Sequence, residues 1–341
     1  MKTFHIQWHI TNLCNLRCRH CYQDAFDASE DISFLQTQKL FENLSYFLKE
    51  NRLRLTVDVT GGEPFLHPNF WKILMLLEQS NVVEKFGIIT NGTLLSNETI
   101  KKLNSFKKLK TIKISCEGVE KESYQFIRRL PYEKFLNSLE KLSLFSGEKL
   151  LMFTITQINT TQIPLLFEMV NRYNLDGFIV ERFFPLGTGK QFKNFVVSKE
   201  TWADSVRKLL VLCEIENDLR PVAQYRGFKV LRKKNNWRIF GAVCIVGKNG
   251  CAIMPDGSVF PCRRFVFNMG NAVTEIFEKI WEKNPCKNIK RKKLKGLCGI
   301  CKIRNCYGCR ALAYCLSGDY LAQDPLCFLE PDLNRFIDSC I

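Results

Sequence analysis

Six apolar runs of strand character alternate with amphipathic helical stretches over the first 190 residues, and a cysteine-dense segment closes the chain. These two observations predict an α/β protein, a partial (β/α)6 TIM-like barrel followed by a small cysteine-rich domain. The strands are Phe4–Ile10, Leu53–Val59, Lys85–Ile89, Thr111–Ser115, Leu150–Ile155 and Gly177–Glu181. Between them lie apolar residues at helical spacing in Thr37–Glu50, Asn69–Gln79, Asn97–Leu103, Tyr132–Phe145 and Pro164–Tyr173. Strand–helix units in this order favour parallel strands joined by helical crossovers. Six units are too few for a full eight-stranded barrel. Residues 1–190 are therefore expected to form the barrel. Residues 191–240 form a helical linker region, in which Ser198–Asn217 carries a packing stripe of Trp202, Val206, Leu209, Leu210 and Cys213. Lys229–Trp237 reads as a polar, basic separator, and 241–341 as the cysteine-rich domain.

In a barrel of parallel strands, chemistry gathers at the strands' C-terminal ends. The first strand runs into Cys14, Cys18 and Cys21, spaced C-x3-C-x2-C. Three such thiolates can hold three irons of a 4Fe–4S cubane and leave the fourth iron open, or they can hold zinc. After the second strand comes Thr60-Gly61-Gly62-Glu63-Pro64, where two glycines admit close backbone approach and Glu63 can accept from an ammonium. The third strand ends in the turn Thr90-Asn91-Gly92, and the fourth in Ser115-Cys116-Glu117-Gly118 with Arg128 and Arg129 beyond. In the tail, Cys244, Cys251 and Cys262 surround an Asp256-Gly257 hairpin signal, which places Cys251 and Cys262 on paired strands. Cys298, Cys301, Cys306, Cys309 and Cys327 follow.

Sixteen cysteines without a secretion signal point to metal ligation in a reducing compartment rather than to disulfides. Met1–Thr11 is too short and polar for a signal peptide, and no run reaches the roughly 20 apolar residues of a membrane span. A cytoplasmic enzyme is expected. The formal charge is +16, and part of it lies in Lys287, Lys290, Arg291, Lys292, Lys293 and Lys295, a run suited to an acidic peptide or to plain solvation. This run lacks interleaved aromatics for base stacking, which argues against a nucleic-acid partner.

The cysteine trio followed one unit later by Gly-Gly-Glu resembles the radical S-adenosylmethionine (radical SAM) superfamily, and the tail resembles its SPASM extension. The resemblance implies a 4Fe–4S cluster on Cys14, Cys18 and Cys21, with SAM chelating the open iron and cleaved to a 5′-deoxyadenosyl radical. It implies SAM contacts from His20, Gly61, Gly62, Glu63, Ser115, Arg128 and Leu186, the last packing on adenine; Glu117 stands where the family has Asp. It also implies two auxiliary 4Fe–4S clusters, one on Cys244, Cys251, Cys262 and Cys309 and the other on Cys298, Cys301, Cys306 and Cys327. The tail departs from the family in its x4 and x2 spacings, and Cys315 is a spare thiol that can stand in for Cys309. Bound clusters would lower the net charge to roughly +11.

Enzymes with this tail mostly modify ribosomally made peptides or proteins, so the resemblance implies hydrogen abstraction from a peptide residue and an oxidative change: a crosslink, thioether or epimerisation. A haem precursor or metal cofactor is the alternative substrate class, where a His before the third cysteine also occurs. Formylglycine formation in sulfatases is another, although Arg263 and Arg264 follow Cys262 where those maturases carry an Asp. Only 13 residues precede Cys14, so a leader-peptide-binding domain is expected on a separate protein, if one is used. Flavodoxin or ferredoxin is the expected reductant. Cys116, at a strand end, is a candidate hydrogen-atom donor.

Overall fold

The computed structural model describes residues 2–329, except 217, 220, 235, 304 and 305. Six parallel strands run in chain order: β1 (Lys2–His9), β2 (Leu53–Thr60), β3 (Val83–Thr90), β4 (Leu109–Ser115), β5 (Glu148–Ile155) and β6 (Gly177–Arg182). Helices α1 (Phe34–Glu50), α2 (Phe70–Gln79), α3 (Asn97–Leu103), α4 (Lys121–Arg128), α5 (Tyr132–Leu142) and α6 (Ile163–Arg172) connect them. Each expected strand is present within two residues at either end. Helix α4 has too few apolar residues for its period to stand out in the sequence.

Local chemistry sets the helix starts. Ser33 accepts from the Gln36 N–H while the Gln36 side chain accepts from the Ser33 N–H, a reciprocal cap that starts α1. Ser96 caps α3 by accepting from the Thr99 N–H. On β1, Phe4, Ile6 and Trp8 share the outer face, as period-2 alternation requires. Phe4 packs there on Phe47, Phe277 and Trp281, and Trp8 on Phe41. Gln7, on the opposite face, looks into the barrel mouth.

Beyond β6 the structure differs from the expected helical linker. Helix α7 (Lys199–Leu212) buries Trp202, Val206, Leu209 and Leu210 and ends before Asn217, which lies outside the described residues. The basic stretch then forms a hairpin, β7 (Gly227–Lys233) and β8 (Asn236–Gly241), that adds antiparallel strands to the β6 edge. Phe228 and Val230 supply the buried face of β7, and the intervening Lys229 pairs with Glu148 at 2.8 Å. Alternation, not overall polarity, was the signal in this stretch.

The cysteine-rich segment joins the other edge of the same sheet. Strand β9 (Gly250–Ile253) pairs in parallel with β1, then β10 (Ser258–Phe260) and β11 (Gly270–Asn271) follow antiparallel, with Gly257 in the turn at φ 84°. Among the described residues the sheet has eleven strands in the order β11-β10-β9-β1-β2-β3-β4-β5-β6-β7-β8. Short helices α8 (Phe277–Glu282), α9 (Leu297–Ile300) and α10 (Arg310–Ser317) complete the described chain. Among the described residues, no helix is long and apolar enough to cross a membrane.

Candidate active site

A cavity of about 960 Å3 opens at the C-terminal ends of the parallel strands. Cys14, Cys18, Cys21 and His20 line it from the loop after β1, Thr60, Gly61 and Gly62 from β2, Thr90 and Asn91 from β3, and Ser115, Glu117 and Arg128 from the β4 side. All six parallel strands, β1 to β6, contribute a lining residue, as barrel curvature requires.

The cysteine loop is held by its neighbours' backbone. The Gly62 N–H donates to the Thr11 carbonyl and the Glu63 N–H to the Leu13 carbonyl, both at 2.8 Å. A Cβ at Gly62 would collide with the Asn12 and Leu13 carbonyls, so only glycine fits there. From the other side, Gly187 turns at φ 52° against Tyr22 and Gln23. The Gly189 N–H reaches the Cys21 carbonyl at 2.9 Å.

Glu63 is not on the cavity wall. It is fully buried, and its carboxylate accepts from the Thr90 hydroxyl and the Asn91 N–H, both at 2.8 Å. Burial pushes its carboxyl up to about 7 against those hydrogen bonds. Through these bonds Glu63 braces the ends of β2 and β3 against each other. Leu186 packs against the apolar core, while Phe183 and Phe184 form the wall at the end of β6. Cys116 is fully buried, its thiol directed at the Gly118 carbonyl at 3.6 Å, and it is not among the lining residues.

Electrostatics at the cavity floor centre on Arg128. Its Nη1 lies 3.2 Å from Glu117 Oε2, and His20 Nε2 lies 3.4 Å from Glu117 Oε1. Burial raises the Glu117 carboxyl, but Arg128 and His20 outweigh it and hold it below the usual carboxylate range. The Arg128 Nε is buried without a partner, as is His20 Nδ1. A lone buried guanidinium donor on a cavity wall fits an anionic group such as a carboxylate. Burial pushes the thiols of Cys18 and Cys21 up to about 12 and 11, so ligation would have to release their protons.

Of the two arginines after Cys262, where sulfatase maturases carry an Asp, one lines this cavity and the other packs on a residue that does. Arg264 lines it, pairs with Glu181 and lies over the Phe184 ring. Arg263 stacks on Tyr22, whose hydroxyl donates to the Gly61 carbonyl at 3.3 Å. Arg182, also on the wall, reaches both oxygens of the buried Asp324 at 3.1 and 3.2 Å. No local pattern signals these links, because each joins residues far apart in the chain.

In the tail, Cys298, Cys301, Cys306 and Cys327 line one cavity of about 390 Å3. The donors around it suit thiolates: Arg226 Nη2 reaches Cys306 Sγ at 2.9 Å, and Arg310 Nη2 reaches Cys298 Sγ at 3.4 Å. Asp324 accepts from the Cys309 N–H at 2.8 Å and pairs with Arg226, so one carboxylate ties the barrel to both cysteine groups. The other proposed group divides. Cys262 and Cys309 are close enough to influence each other, as are Cys244 and Cys262, whereas burial alone raises the Cys251 thiol. Register accounts for this. Cys251 lies inside β9, beside Ile6 of β1, whereas Cys262 lies beyond the end of β10 in a bridge to Phe265.

Comparison with known proteins now decides the family. The radical SAM superfamily pattern matches residues 8–165, and the SPASM iron–sulfur cluster-binding domain matches 244–307. The chain belongs to the radical SAM superfamily. It is an enzyme whose cofactors are SAM and 4Fe–4S clusters, and it carries a SPASM domain. It is 28% identical to an AdoMet-dependent heme synthase of Methanosarcina barkeri, across 96% of either chain. It is 25% identical to the mycofactocin maturase MftC of Mycobacterium tuberculosis, over 97% of this chain and 85% of the relative. Its fold matches Streptococcus suis SuiB bound to the precursor peptide SuiA with a TM-score of 0.70, covering 96% of this chain and 76% of that one at 15% identity.

Proposed function

We propose that this radical SAM chain takes a hydrogen atom from a residue of a peptide or protein and thereby installs an oxidative modification. When bound, the cluster and SAM supply reductive cleavage to a 5′-deoxyadenosyl radical. The chain's own residues supply the setting. Cys14, Cys18 and Cys21 would hold the cluster, and Arg128, backed by Glu117 and His20, would bind the SAM carboxylate. Ser115 and the Gly61-Gly62 backbone border the same space, and Phe183 and Phe184 keep its wall apolar and dry. The four-thiol cavity of the tail would hold an electron-carrying cluster, with a small electron-transfer protein as reductant. The observation that carries this reading is the single cavity onto which the cysteine trio, the glycines, Arg128 and the tail's Arg264 converge. Similarity to mycofactocin maturase and the likeness to SuiB favour a peptide over a small metabolite.

A specific observation favours a second substrate class, a haem precursor. The heme synthase of Methanosarcina barkeri aligns end to end with this chain. Anaerobic purification separates the two readings. A co-purifying peptide, identified by mass spectrometry and raising 5′-deoxyadenosine formation when added back, is the expected result. A porphyrin absorption band in the purified protein, together with deoxyadenosine formation that rises only with a propionate-bearing iron porphyrin, would replace the peptide by a tetrapyrrole.

A further inference from the structure

We infer that Cys286, not Cys251, is the fourth thiolate beside Cys244, Cys262 and Cys309 at the first auxiliary cluster site. The inference rests on the SPASM reading of the tail and concerns which side chain completes it. Cys251 lies beside Ile6 in the parallel β1–β9 register, and paired neighbours point to the same face. That face is the outer one, where Phe4 meets Phe47, Phe277 and Trp281. Cys251 is 1% exposed and sits in the apolar layer between sheet and helices, where a small thiol packs as a hydrophobe.

Cys286 is placed quite differently. It is buried, yet with Cys244 it lines a cavity of about 890 Å3 whose wall also includes Arg226, Cys306 and Arg310. The turn after Cys244 lies directly on it: Gly247, at φ 71°, packs against the Cys286 carbonyl and leaves no room for a side chain. The Arg310 Nε is buried without a partner, while the guanidinium's Nη1 is taken by the Tyr320 and Ala322 carbonyls. A cationic donor left open on this wall suits an anionic cluster on four thiolates. Burial raises the Cys286 thiol to about 12. Cys244, Cys309 and Cys262 push it the same way and Arg310 opposes them, so these thiols share one electrostatic neighbourhood.

The test compares Cys251→Ala, Cys286→Ala and Cys286→Ser with the wild type after anaerobic reconstitution of the full chain. Iron per chain, low-temperature EPR and SAM cleavage are read for each. About twelve irons are expected in the wild type and in Cys251→Ala, and about eight in Cys286→Ala with cleavage at the N-terminal cluster retained. Cys286→Ser is expected to keep an oxygen-ligated cluster with an altered EPR signature and midpoint potential, which separates ligand loss from misfolding. Loss of iron in Cys251→Ala with Cys286→Ala unchanged overturns the assignment, as does an unchanged spectrum in all three variants. About four irons in the wild type would overturn the SPASM cluster reading itself, and this assignment with it.

Discussion

Arg128 has two tasks that a substitution can separate. Its Nη1 faces Glu117 while its Nε has no partner. Removing the charge would strand Glu117 in a buried site, at a cost of about 3–5 kcal/mol. Arg128→Lys keeps the charge and discards the planar fork, so it tests recognition without unfolding the floor. The apparent affinity for SAM is expected to fall about tenfold or more, the range for losing a hydrogen bond to a charged group. The measurement is 5′-deoxyadenosine formation as a function of SAM concentration. Unchanged SAM dependence would mean that the carboxylate is held elsewhere. At the same scale, Cys116→Ala is expected to leave product stereochemistry and yield unchanged, because that thiol is buried away from the cavity. A loss of activity with SAM cleavage intact would restore it as a hydrogen donor.

At the scale of elements, the site depends on the loop after β1 being clasped by the loop after β2. Gly62→Ala forces a Cβ into the Asn12 and Leu13 carbonyls and disrupts two backbone hydrogen bonds that hold the cysteine loop. The expected result is loss of about four irons per chain, those of the N-terminal cluster, with the tail clusters retained and SAM cleavage abolished. Full iron content would mean that the clasp is dispensable. How much was legible in the sequence follows from these same elements. The six strands, the cysteine trio and the glycines were legible because each is a local pattern of alternation, spacing or turn chemistry. The hairpin of β7 and β8 was not, because Lys229, Arg232 and Lys233 mask the alternation of Phe228 and Val230. Which partners Glu63 and Leu186 take is not legible in the sequence, because both are set by tertiary packing: Glu63 is buried against Thr90 and Asn91, and Leu186 packs against the apolar core. The resemblance groups Cys251 with Cys262, and only the β1–β9 register shows that Cys251 sits beside Ile6 in the strand, while Cys262 lies beyond the end of β10.

At the scale of the whole molecule, a fully buried carboxylate is one of the links that couple the tail to the radical site. Asp324 is fully buried and joins Arg182 of β6, which lines the cavity, to Arg226, which donates to Cys306. Burial alone would raise its carboxyl. Arg182 and Arg226, with the Cys309 and Leu326 N–H groups, overcome that and hold it at about 2, below the ordinary 3.8. A carboxyl depressed in the folded state contributes stability that is fully present above its unfolded value and is lost as pH falls through its folded value. For this shift the contribution is about 2 kcal/mol, present above pH 4 and fading between pH 4 and 2. Asp324→Asn removes the charge at every pH and leaves two buried guanidinium groups unpaired, so it is expected to cost about 3–5 kcal/mol near neutrality. The gap in stability between wild type and variant, measured by denaturant titration, should therefore be widest at neutral pH and narrow as pH falls below 4. A gap that stays constant down to pH 2 would mean that the carboxylate's charge does not hold the tail to the barrel. If it does hold, the variant's tail loosens first, and electron transfer to the auxiliary clusters should fail before SAM cleavage does.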